Sequence, residues 1–410
     1  MTATAQHRAT PEVKRNVALL ATCQGLGTST MSMMIAMGGL VGYWLAENKG
    51  LATLPVTTVV TGTALMTIPA AHLMGRVGRR AGFMMGTLLG VAGGFMACLA
   101  LYLQSFWLFC AATGLVGMFS AFVQQYRHAA VDMAPIPFRP RAVSLVMAGG
   151  VVAGFLGPEL VKWTKDMVID LPGLGAIAIP YFGAYLGVVA LCVISAVILS
   201  FLRIPRPVRR TRAEQGRPLS EIMKQPVFWV AAGSGMAGFG VMSLIMTATP
   251  LAMVGCGLAD TQAFTVIQWH VVAMFAPSFF TGHLISRFGV LRIIAVGGVL
   301  NLICVATALS GLEFLHFWSA LVLLGIGWNF MFVGGTTLLA ECYEPEEAPR
   351  VQGFNDFLVF GMVAVSSLSS GQLLEFIGWN AVTLTAVPVI GLALAGVFWL
   401  MATRRGMRRA

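Results

Sequence analysis

Charge is what this sequence is short of. Only 10% of its 410 residues are Asp, Glu, Lys or Arg, whereas soluble domains carry about 25%. A chain so poor in charge cannot cover a globule with water-facing side chains. With 57% hydrophobic residues and a mean hydropathy of +0.82, most of its surface must meet lipid. Carboxylates in the middle of the apolar runs are missing too. Glu47, Glu313 and Glu375 fall at outer rims, and Glu159 near the outer end of the fifth run, so no carboxylate proton relay is expected. The seven cysteines are scattered without close pairs, which excludes a disulfide framework or a zinc spacing. No nucleophile–base pair or metal-hydrolase motif is present, so no enzyme, catalytic residue or resident cofactor is expected.

What is present is a series of apolar runs long enough to cross a hydrocarbon core of ~30 Å as helices. Twelve are predicted, at 17–45, 53–74, 81–102, 105–126, 141–162, 180–202, 226–251, 261–285, 290–311, 317–340, 353–374 and 379–402. The first sixteen residues are polar and no small-residue cleavage site follows the first run, so no removable signal is expected. The net charge of +10 could suggest nucleic acid, but its placement argues for topology. All but Lys49, Lys162 and Lys165 of the 26 basic residues fall at the chain ends and in alternate loops. By the positive-inside rule both termini are expected in the cytoplasm, and nucleic acid is not an expected partner.

The polar stretch 204–225 separates an N-terminal half, 1–203, from a C-terminal half, 226–410, each with six runs. The halves carry a repeat. His72 to Gly78 aligns with His283 to Gly289 at an offset of 211, and the same offset sets Gly27, Met31 and Ser32 on Gly238, Met242 and Ser243. Parallel halves of this kind predict a substrate site between them near the midplane.

One ionisable residue lies deep in a run. His270 sits about nine residues into the eighth, roughly 13 Å below its outer end by helical rise, with Met274 four residues on. Met242 and Met246 share that spacing in the seventh run, at an expected depth similar to His270. Thioethers and imidazole are neutral ligands suited to Cu(I), and Met253 and Cys256 lie further out. With 24 methionines, Met-xxx-Met pairs arise by chance and methionine fills gaps well, so packing competes with metal binding.

The loop Gly75-Arg76-Val77-Gly78-Arg79-Arg80 resembles the signature of the major facilitator superfamily, with Gly75 where an Asp is usual and Ser286 at the matching C-terminal position. The resemblance implies an all-α membrane protein of twelve transmembrane helices in two six-helix halves. It also implies a gating role for Arg76 and Arg287, for which Asp132 and Glu341 are the expected partners. The pairs Met242/Met246 and His270/Met274 resemble those of the CcoA-like copper importers, a branch supplying copper to cbb3-type cytochrome oxidase. So do Gln125 to Ala130, Gly325 to Phe330 and Gln352 to Asp356, although those segments are shared with relatives that carry riboflavin. The copper resemblance implies Met242, Met246, His270 and Met274 as ligands, with Cys256 in a lesser role. Copper import from periplasm to cytoplasm across a bacterial inner membrane is then expected, with a cytoplasmic copper acceptor as a possible partner beside the lipid bilayer. Two alternatives stand beside it. One is transport of a flat molecule such as riboflavin, with Trp269, Trp328, Asn329 and Gln268 lining the cavity and His270 donating a hydrogen bond. The other is a non-transporting copper receptor or assembly factor, against which the short loops argue.

Overall fold

The computed structural model describes residues 10–48, 51, 54–171, 175–204 and 216–407. Helices follow in the order α1 (Pro11–Leu45), α2 (Leu54–Val77), α3 (Arg79–Tyr102), α4 (Phe106–Gln124), α5 (Tyr126–Met133), α6 (Arg139–Ala148), α7 (Ala153–Thr164) and α8 (Phe182–Ser200). They continue with α9 (Leu219–Ile222), α10 (Pro226–Gly255), α11 (Asp260–Phe275), α12 (Ser278–Phe288), α13 (Val290–Leu309), α14 (Phe314–Leu339), α15 (Ala348–Phe376) and α16 (Trp379–Met407). Among the described residues, ten helical segments are long and apolar enough to cross a membrane. In chain order, α1 and the α11–α12 pair occupy the places of the first and eighth spans. The pair is broken at Pro277, which lacks the N–H needed to continue the ladder. One feature departs from the all-helical expectation: a short antiparallel hairpin, β1 (Ile169–Leu171) with β2 (Gly175–Ile177), between α7 and α8.

The repeat is visible in the backbone. Gly78 precedes α3 with φ 92° and ψ 157°, and Gly289 precedes α13 with φ 90° and ψ 148°. Both copies need a left-handed φ where one helix turns straight into the next, a conformation glycine adopts without steric cost. Packing repeats as well. In the first half α4 packs on α2 and α3, and α3 on α8; in the second α14 packs on α11 and α13, and α13 on α16. A Cβ on Gly27 of α1 would press on Val123 of α4, and one on Gly238 of α10 on Met331 of α14.

Compactness does not follow chain order. One unit holds residues 15–126 with 152–209; the other holds 1–14, 127–151 and 210–410. Residues 127–151 thus pack with the expected C-terminal half. The reason is visible at α6: Ser144 donates to the Ser278 carbonyl and accepts from the Gly282 amide at 2.9 Å. Residues 205–215 of the expected linker lie outside the described residues. Its described end is held to the loop before α15, where Arg217 bonds Glu347 at 2.8 Å. The guanidinium, donating hydrogen bonds to both oxygens, holds the Glu347 carboxyl at about 2, well below the usual range.

Candidate substrate site and its buried charge cluster

His270 of α11 is fully buried, and its Nδ1 lies 2.7 Å from the Leu321 carbonyl of α14. The close approach depends on Gly325, one turn along α14. A Cβ there would meet the His270 carbonyl at 2.8 Å and the Met274 amide nitrogen at 2.9 Å. A carbonyl only accepts, so Nδ1 carries the proton, and in the neutral ring Nε2 is left as a bare lone pair. Nε2 is buried and has no hydrogen-bond partner among the described residues. The expected role is therefore reversed: His270 offers an acceptor, not a donor, to whatever enters.

Of the four expected copper ligands, Met242, Met246 and Met274 share one core with Trp328 and Leu321; Met242 and Met274 are buried, as His270 is, and Met246 is partly so. Both α10 and α11 pack on α14. Gly335 of α14 faces Ala231 and Gly235 of α10, while Met331 and Trp328 face Gly238, so α10 runs antiparallel to α14. Cys256 follows the last turn of α10 and is exposed. Among the described residues no group of three or more His, Cys, Asp or Glu could hold a metal ion, so copper would rely on thioethers and one imidazole.

The residues expected to line a flavin site are also redistributed. Trp269 is 48% exposed and meets Trp318 edge-on; Gln268 is half-buried. Asn329 is committed to the helix break: it donates to the Met274 carbonyl at 2.6 Å and to Ser278 Oγ at 2.5 Å, and accepts from Thr281 at 2.7 Å. Such a side chain re-satisfies backbone freed by a broken membrane helix. Trp328 keeps a role. It is buried, its Nε1 has no partner among the described residues, and it lies among Phe239, Phe275 and Phe332, with ring centroids 5.0–5.5 Å away.

A second cluster was missed. Asp356 of α15, near the start of the eleventh run, is fully buried, and the sequence alone assigns it no role. Arg127 pairs with it, and His128 Nε2 lies 3.3 Å from the same oxygen. Asn355 donates to that oxygen at 3.1 Å, and the Arg127 guanidinium lies 4.4 Å from the Phe332 ring centroid. Aromatic contacts thus connect the ion pair to Trp328. Two segments singled out for resemblance, Gln125 to Ala130 and Gln352 to Asp356, supply this cluster. The signal was an Asn-Asp pair inside an apolar run, since a buried carboxylate requires a partner.

The expected gating pairs fare differently. Glu341 bonds Arg404 at 2.8 Å, while Arg287 lies over the Phe288 ring and makes no ion pair among the described residues. Arg404 reaches Glu341 from the end of α16, a neighbour that the repeat alone did not indicate. Asp132 accepts from Gln352 at 3.1 Å. Arg76 is exposed and belongs to the other compact unit, where its neighbour Arg79 donates to Gln125 at 3.0 Å.

The profile of the Major Facilitator Superfamily matches residues 17–308 and 263–410. The chain belongs to that superfamily. It is a multi-pass membrane transporter and not an enzyme. The chain is 42% identical over 383 residues to the riboflavin transporter RfnT of Brucella anthropi, covering 93% of this chain and 94% of that one. It is 26% identical over 400 residues to the uncharacterized MFS-type transporter YddS of Bacillus subtilis, covering 94% and 91%. Among solved structures, a bacterial homologue of the iron transporter ferroportin in an outward-facing state matches with TM-score 0.72 at 14% identity, covering 94% of this chain and 99% of that chain. The human organic anion transporter MFSD10 matches with TM-score 0.73 at 12% identity, covering 95% and 100%. At these identities the structural matches speak for the fold alone.

Proposed function

We propose that this transporter carries an uncharged, flat heterocycle of the flavin class, riboflavin among them, across the bacterial inner membrane. The observation that carries this reading is the 42% identity with a riboflavin transporter over nearly the whole of both chains. The chemistry around His270 agrees with a neutral cargo. Nε2 accepts, as an imide N–H requires, and Trp328 brings a buried N–H that has no partner among the described residues. Leaving a buried acceptor unbonded costs about 1–3 kcal/mol, so a donor on the cargo recovers that cost on binding. The expected topology places both termini in the cytoplasm, and uptake is the proposed direction.

Copper import is the second reading, favoured by the same lone pair on Nε2 and by buried Met242 and Met274. The test is side-by-side uptake of radiolabelled riboflavin and radioactive copper in a host lacking its own riboflavin uptake. Riboflavin accumulation above the empty-vector control, suppressed by unlabelled riboflavin and with copper at control level, is expected. Copper accumulation without riboflavin would replace the first reading by the second.

A further inference from the structure

On the face that bears the arginine loops, a cavity of about 350 Å³ opens between the start of α13 and the end of α16. Arg287, Arg292, Arg404 and Arg405 line it, with Phe288 and Met401 among its apolar walls. Two of these arginines are already positioned: Arg287 lies over Phe288 at 5.2 Å, and Arg404 is fixed by Glu341. Glu341 offsets one of four charges, so the cavity keeps a positive excess. The amino end of α13 adds to it. Gly289 provides no side-chain cap, so the first amides of a 20-residue helix point their partial positive charge towards the same space.

We propose that this cavity binds the phosphate of an anionic phospholipid headgroup in the leaflet on that face. Guanidinium groups and helix amino ends are phosphate ligands, and basic pockets between transmembrane helices suit such headgroups. Placement separates a lipid from a soluble phosphate. Both α13 and α16 are candidate spans, so the cavity lies where hydrocarbon gives way to headgroups. Phe288 and Met401 then face the glycerol and upper acyl carbons. Nothing in the substrate site is required for this binding, and the surplus arginines gain a role beyond topology.

The test uses the purified full chain and native mass spectrometry of retained lipid, with phosphatidylglycerol and phosphatidylcholine offered together. Each arginine near an anionic surface is worth about five-fold in binding, so Arg287→Gln with Arg292→Gln should weaken phosphatidylglycerol retention about 25-fold. Both side chains are exposed, and folding is checked by size exclusion. Arg287→Lys with Arg292→Lys should keep most of the retention. Lys14→Gln with Arg15→Gln, an equal charge change elsewhere, should leave it within about two-fold. Equal retention by the wild type and the glutamine pair would overturn the proposal. Displacement of the lipid by millimolar inorganic phosphate would overturn it too, by making the site one for a free anion.

Discussion

Around Asp356 a carboxylate is excluded from solvent together with the guanidinium and the imidazole that bond it; around His270 one ring nitrogen is tied and the other has no partner among the described residues. Both clusters lie in the same compact unit, and Phe332 links the first to Trp328. The first has the character of a fixed structural joint, because charges in a low dielectric are tolerated only when paired. The second keeps an interaction in reserve, as a carrier must if its cargo is to bind and leave. Paired charges thus mark what holds the unit together, and the lone pair on His270 Nε2 marks where the cargo is read.

The largest effect should come from breaking the charge cluster. Asp356→Ala leaves Arg127 buried without its counter-charge, and losing one partner of such a pair costs about 3–5 kcal/mol. Thermal unfolding of the purified protein should show a large drop, and Asp356→Asn a smaller one. Adding Arg127→Ala to Asp356→Ala should cost much less than the two single changes together, since the residues act as a unit. A variant Asp356→Ala as stable as the wild type would dissolve the contrast between the two clusters.

His270→Ala should do the reverse. It removes one hydrogen bond to the Leu321 carbonyl, worth about 1 kcal/mol, while deleting the reserved acceptor. Uptake per molecule of protein should fall at least about ten-fold, with a melting temperature near that of the wild type. A variant that lost stability and uptake in proportion would make His270 another structural joint.

What was legible in the sequence and what was not divides along the same lines. The spans, the repeat and the superfamily rest on patterns local in the chain, such as the apolar runs and the glycines before α3 and α13. Gly78 and Gly289 were readable because a left-handed turn constrains residue type wherever it occurs. Pairings between helices were not. Arg127 and Asp356 lie 229 residues apart, and no periodicity predicts which polar residues of two distant helices meet. Glu341 took Arg404 in place of Arg287 for the same reason, because chain order gives no rule for which neighbour arrives. Asn329 was read as a cavity residue because its commitment to the Pro277 break depends on a carbonyl supplied by another helix.

The smallest expected effect sharpens the choice of cargo. His270 serves either reading, as an acceptor for an N–H or as a ligand for a soft metal, so its loss cannot separate them. The thioethers can. Met242 and Met274 are buried in the shared core. Leucine fills nearly the same volume as methionine, and such swaps usually cost under about 1.5 kcal/mol, but it carries no sulfur lone pair. For a flat heterocycle those side chains are apolar walls. Met242→Leu and Met274→Leu, alone or together, should then leave riboflavin uptake within about two-fold of the wild type. For copper they would be half of the four expected ligands, and among the described residues no group of three or more His, Cys, Asp or Glu offers another metal site. A steep loss of uptake in the double leucine variant, with normal stability, would therefore restore the metal reading.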